Sequence, residues 1–277
     1  MTYAAPGAPP AGLAKVPSGL ISDLTRLSSR IVTLCWVELR KIRHDRTELY
    51  TRAIQPALWL LIYGEVFTRV HAIPTPAGIP YLAYLAPGIM AQSGMFIAIF
   101  YGIMIIWDRD SGILTKLMAT PTPRSALVTG KAFAASVRSI AQVIVVLVLS
   151  AILGVHFDWN PIHLLGAVLA VVLGSAFFST LSVTIAGIVL TRDRLMGIGQ
   201  ALTMPLFFAS NALYPVALMP TWVRGVALVN PLSYEVRALR TLLLGLPGNL
   251  LLDFGVLLMS AVVGITAASV LLPRLVR

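Results

Sequence analysis

Six apolar stretches of membrane-spanning length dominate this 277-residue chain and restrict it to a bundle of helices in a bilayer. About 20 apolar residues cross roughly 30 Å of hydrocarbon as a helix. The stretches fall at about 53–70, 82–106, 130–154, 162–190, 196–214 and 250–272. The first is short and contains Glu65, with Arg69 one helical turn on as an ion-pair partner near the membrane surface. Composition closes off the soluble alternative: 57% of residues are hydrophobic and only 12% charged, against about a quarter charged in a soluble domain. An all-α membrane protein with six transmembrane helices follows, because lipid-exposed backbone must satisfy its own hydrogen bonds.

A net charge of +10 would attract nucleic acid in a soluble protein; in a membrane protein, its placement reports orientation instead. With the N-terminus inside, the cytoplasmic segments hold sixteen Lys and Arg, from Lys15 through Lys131 to Arg277, and the outer segments hold four: Arg69, Arg224, Arg237 and Arg240. Both termini are therefore expected at the cytoplasmic face of the cell membrane, with no nucleic-acid partner. Residues 1–18 read as a disordered cytoplasmic tail without the charged start and apolar run of a signal peptide. Residues 19–52 read as an amphipathic interfacial helix: Leu20, Leu24, Leu27, Ile31 and Leu34 share a face, and the basic run Arg40 to Arg46 suits anionic lipid. Residues 53–277 form the transmembrane domain. The chain's lone cysteine, Cys35, excludes an internal disulfide, and the four scattered histidines form no metal-ligand pattern.

Two long connections stand out from the tight turns at 155–161 and 191–195. The segment Phe207–Arg240 is mostly apolar but is broken by Pro215, Pro220 and Pro231 and carries Glu235, Arg237 and Arg240. It is expected to re-enter the outer leaflet as a helical hairpin between spans five and six, with Trp222 and Tyr234 at the interface and the arginines reaching water or lipid phosphate. On the cytoplasmic side, Ile113, Leu114, Leu117 and Met118 would share one face of a short helix from about Ser111 to Ala119, stopped by Pro121 and Pro123. Gly130-Lys131 in the same loop resembles the end of a phosphate-binding loop, but Ser125 and Ala132 stand where that motif needs Gly and Ser or Thr.

These features together resemble the ABC-2 type transporter permeases, from about residue 30 to the end. The resemblance is closest to the daunorubicin-resistance branch of drug and lipid exporters. It is carried by Gln55-Pro56-Ala57-Leu58-Trp59, by Asp108-Arg109-Asp110-Ser111-Gly112 with the later Thr-Pro-Thr-Pro-Arg124, and by Asn230-Pro231-Leu232-Ser233-Tyr234 with Arg240. The family often has Glu where this chain has Asp108 or Asp110, so charge is retained. The resemblance implies a permease subunit that pairs with a second permease, identical or homologous, and with two copies of a separate ABC ATPase. ATP and magnesium would be bound by the ATPase, and this chain would hold no cofactor, metal or catalytic residue. Coupling to the ATPase would fall to Trp107, Asp108, Arg109, Asp110, Gly112, Leu114, Leu117, Met118, Pro121, Pro123 and Arg124. The outer gate would comprise Pro215, Pro220, Trp222, Asn230, Pro231, Tyr234, Arg237 and Arg240.

The expected activity is ATP-driven export of a hydrophobic or amphipathic drug or lipid-like molecule. Few polar side chains interrupt the spans beyond Gln92, Gln142, Gln200 and Asn211, which favours such a cargo over an ion. Export of a lipid-linked polysaccharide is the alternative within the family, and Phe96, Phe100, Phe177 and Phe178 leave room for it. An ion-coupled secondary transporter should carry several mid-span carboxylates or an inverted repeat; Glu65 is the one candidate carboxylate and no repeat is apparent.

Overall fold

A computed structural model of the chain describes residues 33, 35, 36, 39, 40, 44, 46–71, 73–76, 78–118 and 124–275. The 1–18 tail, most of the 19–52 segment, and Pro121 and Pro123 lie outside the described residues. Every regular element among the described residues is helical. Among the described residues, four helical rods are long and apolar enough to cross a membrane: Tyr81–Asp110, Arg124–Ile152, Pro161–Val189 and Leu250–Leu275. They fall on the second, third, fourth and sixth expected spans.

The first expected span is a composite. Helix α1 (Arg46–Leu58) passes through a π-helical turn, Trp59–Gly64, into α2 (Glu65–Val70). Gly64, at the end of that turn, lies against α3 (Tyr81–Tyr101), where any Cβ would overlap the Leu82 side chain. Glu65 and Arg69 form the expected surface pair, 3.8 Å apart and exposed. The fifth expected span is shorter than its apolar run: α8 (Arg192–Phe208) stops six residues before Tyr214. The backbone turns there because Ser210 Oγ donates to the Phe207 carbonyl at 2.7 Å and accepts from the Ala212 amide.

Helix α3 continues after a tightened turn into α4 (Met104–Asp110), then α5 (Ile113–Met118). Helices α6 (Arg124–Ile152), α7 (Pro161–Val189), α9 (Thr221–Val229), α10 (Pro231–Leu244) and α11 (Leu250–Leu271) complete the set. Asn160 caps α7 by accepting from the Ile162 amide, with Pro161 at the first helical position. The apolar window of the Tyr81–Asp110 rod is 78% buried, whereas that of the Leu250–Leu275 rod is 28% buried, so α3 is the central rod and α11 the peripheral one. Helix α3 packs on α6 and α7, and α11 runs along α7. Leu251, Met259, Val263 and Val270 stay exposed along α11, as expected of a lipid-facing surface.

The small residues of α3 serve this bundle. Ser139 of α6 donates to the Gly94 carbonyl at 3.1 Å, and Gly102 lies so close to Ser182 of α7 that a Cβ would overlap it. Close approach through small residues substitutes for the hydrophobic driving force that lipid abolishes.

Candidate functional site

The two long connections lie at opposite ends of the bundle. At the end reached by α4, Leu114 of α5 is fully buried among Ile106, Val128, Leu195, Leu272 and Leu275, while Ile113 is about half exposed. Gly112 adopts φ +72°, which lets the chain reverse between α4 and α5. The helix starts at Ile113, two residues later than the Ser111 expected from sequence, and is described through Met118; Ala119 lies outside the described residues. Leu117 lies within it, and Met118 is partly buried.

Three side chains of α4 tie this turn to the rest of the bundle. Asp108 pairs with Lys131 of α6, and both side chains are largely covered. Arg109 donates to the Leu190 carbonyl at 2.7 Å, just past the end of α7, and also to Asp110 at 2.8 and 2.9 Å. Trp107 carries the Arg192 guanidinium of α8 over its ring at 4.5 Å. Thus Asp108 is an internal strut, and Asp110, more than half exposed, faces outward with the charge of Arg109 beside it. Lys131, counted from sequence among the cytoplasmic cations and set aside as a phosphate-loop residue, is the strut's other half. Arg124 is exposed at the start of α6.

At the opposite end, Pro215 and Pro220 precede a short 3-10 turn and α9 respectively. Asn230 joins three elements: its side-chain oxygen accepts from the Leu232 amide to cap α10, and its Nδ2 donates to the Leu206 carbonyl at 2.7 Å. Pro231 opens α10. Tyr234 donates to the Leu228 carbonyl at 2.6 Å, and Trp222 is 74% exposed. Helices α9 and α10 are therefore pinned as a hinge-like pair against the end of α8.

The arginines depart from the sequence expectation. Arg240 does not reach water: it is 5% exposed, and it donates to the carbonyls of Tyr84, Asn211 and Ala212 at 2.8–3.1 Å. Arg237 is half-buried, pairing with Asp253 of α11 and covering the Tyr234 ring at 4.4 Å. Arg224 remains exposed, with a 3.3 Å contact to the Ala217 carbonyl. Packing explains the correction, since the amphipathic face of α10 turns inward onto α3 and α7 rather than toward solvent. Glu235, noted from sequence as a charge of this segment but given no role, is 1% exposed, packs against Gly174 and has no hydrogen-bond partner for either oxygen. Its place one residue after Tyr234, on the face shared with Val236 and Leu239, was the available signal.

A turn at 153–160 lies beside this end. The Asp158 amide donates to the Leu243 carbonyl at 2.8 Å, and its carboxylate accepts from the Asn160 amide and meets His163 at 2.6 Å. The Asn160 amide, and then His163, hold the Asp158 carboxyl below the usual carboxylate range. Among the described residues no cluster of His, Cys, Asp and Glu could hold a metal ion.

A bundle of membrane-length helices with a braced helical turn at one end and a proline-punctuated helical pair at the other is the frame of a multi-pass membrane protein. Residues 29–244 match the ABC-2 type transporter family, and the chain belongs to that family. It is 28% identical over 196 residues to a putative transport permease, ycf38, of Cyanophora paradoxa, covering 70% of this chain and 67% of the relative. It is 29% identical over 201 residues to nodulation protein J of Rhizobium leguminosarum bv. viciae, covering 71% and 76%. A probable doxorubicin resistance ABC transporter permease, DrrC, of Mycobacterium tuberculosis is 24% identical over 204 residues, covering 70% and 69%.

Proposed function

We propose that this chain is the membrane subunit of an ATP-driven exporter of a hydrophobic or amphipathic molecule. It spans the cytoplasmic membrane six times with both termini inside, and works with a second permease and two copies of a separate ATPase that bind ATP and magnesium. The observation that carries this reading is the braced turn at α4–α5. Leu114 is anchored in the bundle, and Asp108, Arg109 and Trp107 each tie the turn to a different neighbouring helix. A push on the exposed face of α5 is thereby delivered to α6, α7 and α8 together, because packed helices move as rigid bodies rather than deforming. Residues 107–124 are the segment that meets the ATPase, and the pair α9–α10 closes the outer exit.

The related doxorubicin resistance permease supports a drug or lipid-like cargo, as do the largely apolar spans. The test is to express the chain with an ATPase encoded beside it and purify through a tag on the permease. The expected result is copurification, with ATP hydrolysis that falls when Asp110→Lys or Leu117→Glu is introduced while the permease still inserts. Absence of any copurifying ATPase, or hydrolysis indifferent to both variants, would overturn the reading.

A further inference from the structure

A polar cavity between α1, α3 and α6 belongs to neither end of the bundle. Gln92 of α3 and Gln142 of α6 are 2% and 1% exposed, and Gln92 Nε2, Gln142 Nε2 and Gln142 Oε1 have no hydrogen-bond partner. Both side chains line a cavity of about 100 Å³ whose opposite wall is built from Thr51, Arg52 and Gln55 of α1. Buried amides without partners are costly, more so within a bilayer, and such groups mark sites that a guest completes. The cavity is continuous with an open groove, since Thr51 and Gln55 line both. Along that groove Ile54, Leu58 and Ile62 stand about half exposed.

We propose that cavity and groove together form a binding site for an amphiphile with a neutral, hydroxyl-bearing head of the sugar type. The head lies between Gln92 and Gln142, and the tail follows Ile54, Leu58 and Ile62. The donor and acceptor inventory selects this class. The unfilled groups comprise amide donors on both glutamines and one carbonyl acceptor on Gln142. A hydroxyl donates and accepts at once and satisfies both kinds. A phosphate diester or carboxylate offers acceptors only and leaves Gln142 Oε1 unfilled, and a hydrocarbon fills neither. Gln55 at the α1 wall adds a donor to ring or hydroxyl oxygens. This site deepens the export reading by naming a cargo class, and its role in export rests on that reading.

The test uses the full-length permease in phosphatidylcholine nanodiscs containing a minor fraction of monoglucosyl diacylglycerol or, in parallel, of phosphatidylmethanol, an anionic phosphate diester whose head bears no hydroxyl. Lipid retained after gentle extraction is counted by mass spectrometry. Wild type is expected to retain the glucolipid roughly tenfold over phosphatidylcholine, the scale of one or two well-placed hydrogen bonds, and the pair Gln92→Leu with Gln142→Leu should return it to parity. The pair should melt no lower than wild type in phosphatidylcholine alone, because it removes unpaired polar atoms. Should it nevertheless misfold, Gln142→Met carries the same comparison. No glucolipid enrichment in wild type, enrichment undiminished in the variants, or phosphatidylmethanol retained as well as the glucolipid would each overturn the proposal. Copurification with the ATPase is read separately, so loss of lipid selectivity with the ATPase still bound rejects this site and leaves the export reading standing.

Discussion

The guanidinium carbon of Arg240 lies 3.5 Å from the centre of the Tyr84 ring, joining α10 to the first turn of α3. No carboxylate neutralises this buried cation among its hydrogen-bond partners; three carbonyl oxygens and an aromatic face do so instead. The carbonyls of Asn211 and Ala212 belong to the turn after α8, so one side chain fixes three segments that chain connectivity leaves independent.

Replacing Arg240 with Met should therefore be severe. It strands buried carbonyls and frees α10 from α3, at a cost of about 3–5 kcal/mol. Tyr84→Phe keeps both ring and backbone carbonyl and should cost under about 1 kcal/mol, whereas Tyr84→Leu loses the ring face and about 2 kcal/mol. Denaturation of the detergent-solubilised chain reads all three. Equal stability of the Phe and Leu variants would show that the ring face contributes nothing.

The strut between Asp108 and Lys131 predicts a different phenotype, because it braces α4 against α6 at the opposite end. Asp108→Asn or Lys131→Met leaves one partly covered charge without its partner and should cost roughly 1–2 kcal/mol. The larger effect should fall on cargo-stimulated ATP hydrolysis, since the braced turn loses one of its ties. The exchange Asp108→Lys with Lys131→Asp should recover part of both, and a double-mutant cycle measures the coupling. Singles whose hydrolysis matches wild type would remove the strut from the coupling path.

Four spans were legible because twenty apolar residues in a row have one solution in a bilayer, and the short helix α5 was legible from its apolar set, whereas the reversal at Gly112 was not read from sequence. Asn160 and Pro161 start α7 with capping chemistry that is local in sequence. What sequence could not provide was the direction in which α10 faces. Arg237 and Arg240 sit three residues apart in a helix, so both were read as interfacial, yet one meets Asp253 and the other Tyr84. The choice depends on partners 16 and 156 residues away, information held in packing and absent from local pattern. Lys131 was missed for the same reason, its partner lying 23 residues upstream.

Glu235 is the costliest polar group in α10, with both oxygens buried against Gly174 and unpartnered. Glu235→Met keeps the volume and removes the polar atoms, and it should stabilise the chain by about 1–2 kcal/mol. A native sequence retains such a group where it is used, so the informative measurement pairs thermal denaturation with transport. A variant that melts higher but transports less would assign Glu235 a role in the cycle; one that melts lower would refute the predicted cost.

Asp158 makes the 153–160 turn pH-dependent. Its carboxyl is held low by the Asn160 amide and then His163, so the contribution of the charged form is present above the unfolded carboxylate pKa and is lost as pH falls through the lower, folded value. The melting-temperature difference between wild type and Asp158→Ala should hold constant from neutral to mildly acidic pH and shrink only in strong acid. A difference that vanished near neutrality would place its origin in another group.

Two glycines should respond oppositely to the same added methyl. Gly88 of α3 faces the turn after α8, where a Cβ would overlap the Ala212 carbonyl oxygen and lie 2.9 Å from its carbon. Backbone cannot step aside as a side-chain tip can, and that same turn supplies two of the carbonyls holding Arg240. Gly88→Ala should therefore cost about 1–3 kcal/mol and loosen the Arg240 cluster with it. Gly225 of α9 has open space around its Cβ position and ordinary helical backbone, so Gly225→Ala should stabilise by about 0.5–1 kcal/mol through helix propensity alone. Denaturation of the two variants side by side separates close packing from propensity. If Gly225→Ala instead destabilised, its face would be covered in the assembled transporter, and repeating the measurement at lower protein concentration would reveal that contact by a concentration-dependent loss.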